Sequence, residues 1–419
     1  MNTTIPYNIT HFDTAEDMYR ACQPPLIQNE YRIFWWKNMP LCHLCLDLQV
    51  KYTEEDIKES AFSRIINTLK SNFDSSISTE ADYKSIWKNE QQEEWNNLLS
   101  PLLAKKTGGL FEPRDISVVI CTRNRAGFLR NCLKELTQQV YAPLEIIVVD
   151  NAPSDTSSKE TTADFPLVRY IAEPTPGLDF ARNAGAKTAK GKIIAYTDDD
   201  VNLHPLWTYY IAQAFASEEI YGVTGLVFPA ELKTQAQRLF EEHWSFNRGY
   251  VFKKYDNVYF HEHLESGVPV WNIGAGANMA FRRDIFDKVG YFDERLDAGA
   301  AGCNGDSEFW YRILAEGYSM VYTPLAIAFH THRQEMEAFK SQIYYYMRGF
   351  TVALHIQHER YGHKGNLDHL YKHLFPYYFK KMPRMLKAAL RNPSATHFQE
   401  IKGIISGIRY YKKTKHAKP

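Results

Sequence analysis

Ile116-Ser-Val-Val-Ile-Cys-Thr-Arg-Asn-Arg125, Leu144-Glu-Ile-Ile-Val-Val-Asp-Asn151 and Ile193-Ile-Ala-Tyr-Thr-Asp-Asp-Asp200 follow one plan: a short apolar run that ends abruptly in polar and charged residues. Runs that are apolar at successive rather than alternate positions read as strands buried on both faces, as in a parallel sheet covered by helices. The sequence between them supplies such helices. Phe128, Cys132, Leu133 and Leu136 recur three or four residues apart, and Phe180 to Ala189 is helix-like. Strand, helix and strand in this order predict βαβ units, and ligands of such sheets bind outside the carboxyl ends of the strands. That rule selects Cys121 to Arg125, Asp150-Asn151 and Asp198-Asp199-Asp200.

Working outward, residues 1–112 read as a small N-terminal α/β module. Tyr31 to Trp36 and Leu41 to Val50 form a plausible hairpin across Lys37 to Pro40, followed by a helix that Thr53 caps with Asp56 and that repeats Ile57, Ala61, Ile65 and Leu69 on one face. Polar sequence from Asp74 to Asn97 and from Lys105 to Leu110 suggests a connection near residue 112. The α/β core then runs over 113–335. Residues 336–419 read as a helical, basic region, because Phe339, Ile343, Met347, Phe350 and Leu354 keep helical spacing up to Gly362. From Lys380 onward there are eleven Lys and Arg against one acid, Glu400.

The whole chain is balanced, with 49 Lys plus Arg against 49 Asp plus Glu, which argues against a dedicated nucleic-acid binder. A hydrophobic fraction of 44 % with 14 % aromatic residues argues against a disordered or fibrous chain. No apolar run reaches the roughly 20 residues of a spanning helix, and the start lacks a secretory pattern. A cytoplasmic protein is expected. The six cysteines are scattered, and Cys42-His-Leu-Cys45, in an apolar stretch, reads as a pair of buried strand cysteines rather than half of a metal site.

Three consecutive carboxylates at Asp198 to Asp200 repel one another unless something cationic binds. The arrangement is either a solvated acidic turn or a seat for Mg²⁺ or Mn²⁺, which take one or two carboxylates together with phosphate oxygens. Arg182 and Asn183 follow the Gly177 turn into a helix, where donors face an anion. Asp306 is an N-cap or a general base. His330 and His332 stand at i, i+2 on a strand and point the same way, as metal ligands or as surface histidines.

Taken in order, Ser117 to Arg125, Val149-Asp-Asn151, Gly177 to Asn183, Thr197 to Asp200, Gly274-Ala-Gly-Ala-Asn278, Gly305-Asp-Ser-Glu308 and His330-Thr-His332 closely resemble the family 2 glycosyltransferases of the GT-A fold over residues 113–335. The flanks resemble a bacterial subgroup with an extra N-terminal module and a helical basic C-terminus. The resemblance implies a Rossmann-like nucleotide-binding sheet and inverting, metal-dependent transfer from a nucleotide-diphosphate sugar, a UDP-sugar being expected, to an acceptor hydroxyl. It places Thr122, Arg123, Asn124, Arg125 and Asp150 around the nucleotide, with Arg182, Asn183 and Asp199. Asp198 falls on the ribose, Asp200 on the metal, Mn²⁺ or Mg²⁺, and His330 or His332 on the later metal position. Asp306 is the implied catalytic base, and Trp271, Gly276, Ala277, Asn278 and Glu308 fall in the acceptor or sugar pocket. Three positions depart from the family pattern: Gly305 replaces its usual Glu, Glu308 a second Asp, and Arg123 a stacking aromatic ring.

A sugar-nucleotide nucleotidyltransferase is the rival enzyme, but Cys121 to Arg125 lacks the glycines of a triphosphate loop. A non-catalytic nucleotide-sugar-binding protein is a further alternative, suggested by Gly305. The basic, apolar-interleaved C-terminus fits a peripheral contact with the inner face of the cell membrane and a glycan or lipid-linked acceptor, as in cell-surface polysaccharide or glycolipid synthesis.

Overall fold

The computed structural model describes residues 6–25, 27–73, 80–107, 115–391 and 395–415. Three strands, β1 (Tyr7–Asp13), β2 (Asn29–Trp36) and β3 (Met39–Leu46), make an N-terminal sheet in that order. β1 runs parallel to β2, and β2 and β3 form the hairpin. The helix Glu54–Phe73 starts where its side chains dictate: Thr53 Oγ1 accepts from Asp56 N at 3.1 Å while Asp56 Oδ2 takes the Thr53 N–H at 2.8 Å. The polar stretch expected to be a connection contains two helices, Glu80–Lys88 and Gln92–Thr107. Their polar residues mask a thin apolar stripe, in which Tyr83, Trp87, Trp95, Leu99 and Leu102 are buried. The connection near residue 112 lies outside the described residues. Cys42 is buried, as expected, whereas Cys45 points outward on the opposite strand face and is exposed.

Among the described residues, nine strands form the central sheet. β4 (Ile116–Thr122), β5 (Glu145–Asn151), β6 (Val168–Glu173) and β7 (Ile193–Asp198) are parallel neighbours in the order β7-β4-β5-β6. The three quoted runs are β4, β5 and β7, so the side chains of Val119, Ile147 and Ile194 have no exposed surface. Removing each from water stabilises the fold by about 1.5–3 kcal/mol. The strands β8 (Val201–Leu203), β9 (Ile220–Pro229), β10 (Lys253–Tyr255), β11 (Asn278–Arg282) and β12 (Ser319–His330) complete a mixed half. β11 runs antiparallel between β7 and β9, and β12 lies parallel to β9. This brings the end of β12, with His330, to the antiparallel partner β8, directly after Asp200.

The helix Met336–Tyr361 ends at Gly362, which adopts the left-handed conformation a helix stop requires. It packs along the helix His397–Thr414. Between them run a π-helical turn, His369–Leu374, and the helix Phe375–Arg391. Tyr378 is buried there and donates to Glu400, the one acid of the basic segment. No described helix is long and apolar enough to cross a membrane.

Candidate active site

The carboxyl ends of β4, β5 and β7 open into a cleft of two adjoining cavities. The first, about 410 Å³, is lined by Thr122, Arg123, Arg125, Asn151, Asp198, Asp199, Asp200 and His330. The second, about 610 Å³, is lined by Arg182, Trp271, Gly276, Ala277 and Asp306, under an aromatic roof that includes Trp244, Phe246 and Tyr346. Asp198, Leu178, Phe246, Ala298 and Tyr346 border both.

The acidic turn is not simply solvated. Asp199 and Asp200 are buried, and Arg125 spans them, donating to Asp199 and to Oδ2 of Asp200 at 2.8 Å. Thr122 also donates to Asp199, at 2.7 Å. Burial still dominates over Arg125 and pushes the Asp199 carboxyl up to about 6. Asp198 is raised too, by burial and then by Asp200. Asp198, Asp200 and His330 each offer one ligand atom, and all three atoms lie within 4.8 Å of one another. Oδ1 of Asp200 is buried without a hydrogen-bond partner and faces Nε2 of His330 at 3.4 Å. Burial and the adjacent His332 depress the His330 imidazole to about 3, so it is neutral and able to donate a lone pair. An orphaned carboxylate oxygen beside a neutral imidazole nitrogen fits a divalent cation.

This set differs from the one the resemblance implies. Asp198, expected on the ribose, stands with the metal candidates, because the turn after β7 folds its carboxylate back toward that of Asp200. His332 shares the face of His330 but sits deeper, with Nε2 at 3.3 Å from Glu241, and is not among the three clustered groups.

On the other side, Asp306 occupies the first turn of the helix Gly305–Ala315. It does not cap that helix. Its Oδ1 takes the N–H of its neighbour Ser307 at 2.7 Å, while burial and then Asp297 push the carboxyl up to about 6. A Cβ added at Gly276 would stand 2.8 Å from Oδ2 of Asp306 and 2.9 Å from Arg182, so glycine is what lets this loop pass between them. Arg182 is buried between Asp179, at 3.0 Å, and Asp297. A Cβ at Gly305 would fall within 2.7 Å of Oδ2 of Asp297 and closer still to the Asp179 carboxylate. The departure at Gly305 therefore has a packing cause: two carboxylates from elsewhere in the chain fill the space a Glu at 305 would occupy.

Several expected site residues serve the framework instead. Glu308 is fully buried and paired with Arg312 at 2.9 Å. It follows Asp306 by two residues, about 200° around the helix, and so faces away from the cleft. Asn278 is buried; it accepts from the Trp207 ring N–H at 2.8 Å and donates to the carbonyls of Leu226 and Ala326. The alternation along β11 turns it from the cavity that Ala277 lines. Asn183 pins the loop at Phe292, exchanging bonds of 2.9 and 3.0 Å with its backbone. Asp150 is buried and accepts from Tyr170 at 3.1 Å, and its neighbour Asn151 reaches the cleft. Asn124 takes a left-handed φ of 55° and its side chain accepts from Ser154 N, which shapes the loop where Arg123 is exposed. The sequence reading missed Asp297, Glu241 and Tyr346, none of which stands in a quoted motif, and did not single out Asp179 inside the Gly177 to Asn183 stretch.

The sequence model of the family described as "Glycosyl transferase family 2" matches residues 117–290. Residues 117–290 thus carry a glycosyltransferase family 2 domain, on a sheet with the GT-A arrangement of a Rossmann-like parallel half and a mixed half. Among curated relatives it is similar to Glycosyltransferase AglE of Haloferax volcanii, 26 % identical over 54 % of this chain and 70 % of that protein. It is also similar to Glucosyl-dolichyl phosphate glucuronosyltransferase of the same organism, 25 % identical over 42 % of this chain and 56 % of that one. Among solved structures, the mannosyltransferase PcManGT from Pyrobaculum calidifontis, in complex with GDP-Man and Mn²⁺, aligns with a TM-score of 0.47 at 16 % identity, covering 74 % of this chain and 94 % of that one.

Proposed function

We propose that the protein transfers a sugar, with inversion, from a nucleoside diphosphate sugar to an acceptor hydroxyl, using Mn²⁺ or Mg²⁺. The observation that carries the reading is the division of carboxylates across one cleft: Asp198 and Asp200 with His330 on one wall, Asp306 on the other. Inversion needs the acceptor oxygen to attack from the side opposite the departing diphosphate, so a base and a leaving-group site must be separate. Asp306 is the base, taking the proton of the acceptor hydroxyl. Asp198, Asp200 and His330 hold the cation, which neutralises the charge of the departing diphosphate when bound. Thr122, Arg123, Arg125 and Asn151 bind the nucleotide, for which a UDP-sugar is the first candidate, and Arg182 orients Asp306. Trp271 and its aromatic neighbours give the acceptor an apolar, stackable seat.

A lipid-linked acceptor reached at a membrane surface suits the C-terminal region. Phe379 is 76 % exposed, Tyr377 49 % and Met382 38 %, beside the exposed Lys380 and Lys381. Aromatic and basic groups on one helix bind anionic interfaces. That helix adjoins the aromatic cavity, which Tyr378 lines.

The test is a thermal-shift screen of UDP- and GDP-sugars with and without Mn²⁺, followed by NMR of the anomeric configuration of the product. A ligand at 100 times its dissociation constant stabilises by about 2.7 kcal/mol. Cation-dependent shifts with an inverted product are expected, and retention of configuration sinks the assignment of Asp306.

A further inference from the structure

His330 reaches a second layer of side chains that the proposed reaction does not touch. Its Nδ1 lies 3.1 Å from Nδ1 of His332, and Nε2 of His332 lies 3.3 Å from Oε2 of Glu241. The other oxygen of Glu241, Oε1, accepts from the hydroxyl of Tyr31 at 3.2 Å and from Ser245 at 2.9 Å. Tyr31 belongs to β2 of the N-terminal sheet, and its ring is buried. The chain of contacts therefore runs from the N-terminal module into the cation site.

The partners dictate the protons. A carboxylate only accepts, so Nε2 of His332 carries the proton toward Glu241 and its Nδ1 keeps a lone pair. Two lone pairs cannot meet at 3.1 Å, so Nδ1 of His330 donates. Nε2 of His330 is left bare, and it is this atom that lies 3.4 Å from Oδ1 of Asp200. Water cannot easily replace the arrangement. The rings of Phe240 and Phe246 lie 4.5 and 5.9 Å from that of His332, and Phe246 lies 5.2 Å from His330.

We propose that Glu241, anchored by Tyr31 of the N-terminal sheet, sets through His332 the tautomer of His330 that presents Nε2 to the cation. Glu241, His332 and Tyr31 are positioning residues, and the N-terminal module thereby has a part in the site. The inference rests on the reading of Asp198, Asp200 and His330 as a cation site. Partners of this kind typically change metal affinity by about 10- to 100-fold.

Glu241→Gln tests it with no change of volume. The amide oxygen keeps the donors Tyr31 and Ser245, and its NH₂ then points at Nε2 of His332. Every proton in the chain reverses, and Nε2 of His330 becomes a donor to Asp200. Two measurements on the full chain are decisive: Mn²⁺ titration by calorimetry, without donor, and ¹⁵N NMR of the histidine ring nitrogens, with His330 assigned from His330→Ala. The expected result is an unchanged melting temperature, about 10- to 100-fold weaker Mn²⁺ binding, and a protonated Nε2 on His330. Tyr31→Phe should give a smaller loss in the same direction. Wild-type affinity and an unchanged tautomer in Glu241→Gln overturn the relay. If the wild type binds neither Mn²⁺ nor Mg²⁺ while the tautomer still reverses, the cation reading fails and the relay loses its task.

Discussion

Oδ1 of Asp200 lies 3.4 Å from Nε2 of His330 and takes no hydrogen bond from any described residue. Arg125 satisfies only the other oxygen of that carboxylate, at 2.8 Å. A buried acceptor opposite a second lone pair is unfavourable by itself and becomes favourable when a cation lies between them. Asp200→Ala should therefore abolish the Mn²⁺ dependence of nucleotide binding without unfolding the chain. Calorimetry of UDP and GDP binding, with and without Mn²⁺, reads it directly, and wild-type dependence in the variant removes Asp200 from the cation site.

Asp306→Asn keeps shape but cannot take a proton, and should lower kcat by about 10² to 10⁴ with little change in donor affinity. Loss of donor binding together with turnover would instead make Asp306 structural.

The same carboxyl should govern the acid side of the pH profile. A free aspartate titrates near about 4, whereas burial and Asp297 raise Asp306 to about 6. A base works only when ionised, so kcat should be level above about pH 6 and fall roughly tenfold per unit below it. A kcat profile flat down to pH 5 would contradict this.

The two histidines should separate. His330→Ala removes a ligand atom, whereas His332→Ala removes only the group behind it. Mn²⁺ titration followed by electron paramagnetic resonance should show weaker binding in both and the larger loss in His330→Ala. The reverse order would place His332 in the coordination shell.

Gly305→Ala should destabilise the fold, because its Cβ would collide with the carboxylates of Asp179 and Asp297. Overpacking of this kind typically costs about 1–3 kcal/mol, measurable by urea denaturation. An unchanged midpoint would show that the carboxylate pair gives way easily.

Phe379→Glu should release the full chain from anionic vesicles if the C-terminal helix docks on membranes, since it replaces the most exposed apolar ring of that helix with a like charge. Co-sedimentation at low salt decides it. Equal, absent binding in wild type and variant favours a soluble acceptor.

The strands β4, β5 and β7, the helices Ala126–Thr137 and Leu178–Thr188 and the loops after those strands were legible in the sequence because each is encoded locally. An unbroken apolar run, a helical period and a capping pair such as Thr53 and Asp56 all act within about 10 residues. The helices at Glu80–Lys88 and Gln92–Thr107 were not, because a few buried aromatics among many polar residues carry a weak pattern.

By itself, then, the sequence determined the parallel strands β4, β5 and β7 and their carboxyl ends, and it brought Asp198, Asp200, Asp306 and His330 forward as chemistry. Which neighbours those groups have was decided only by tertiary structure. Asp297 meets Arg182 across 115 positions and His332 meets Glu241 across 91. Asp306 and Glu308 part company because two residues span more than half a helical turn. Spacing along a chain fixes the direction of a side chain relative to its own element. Its partner, its burial and hence its proton are fixed by which other elements pack against it.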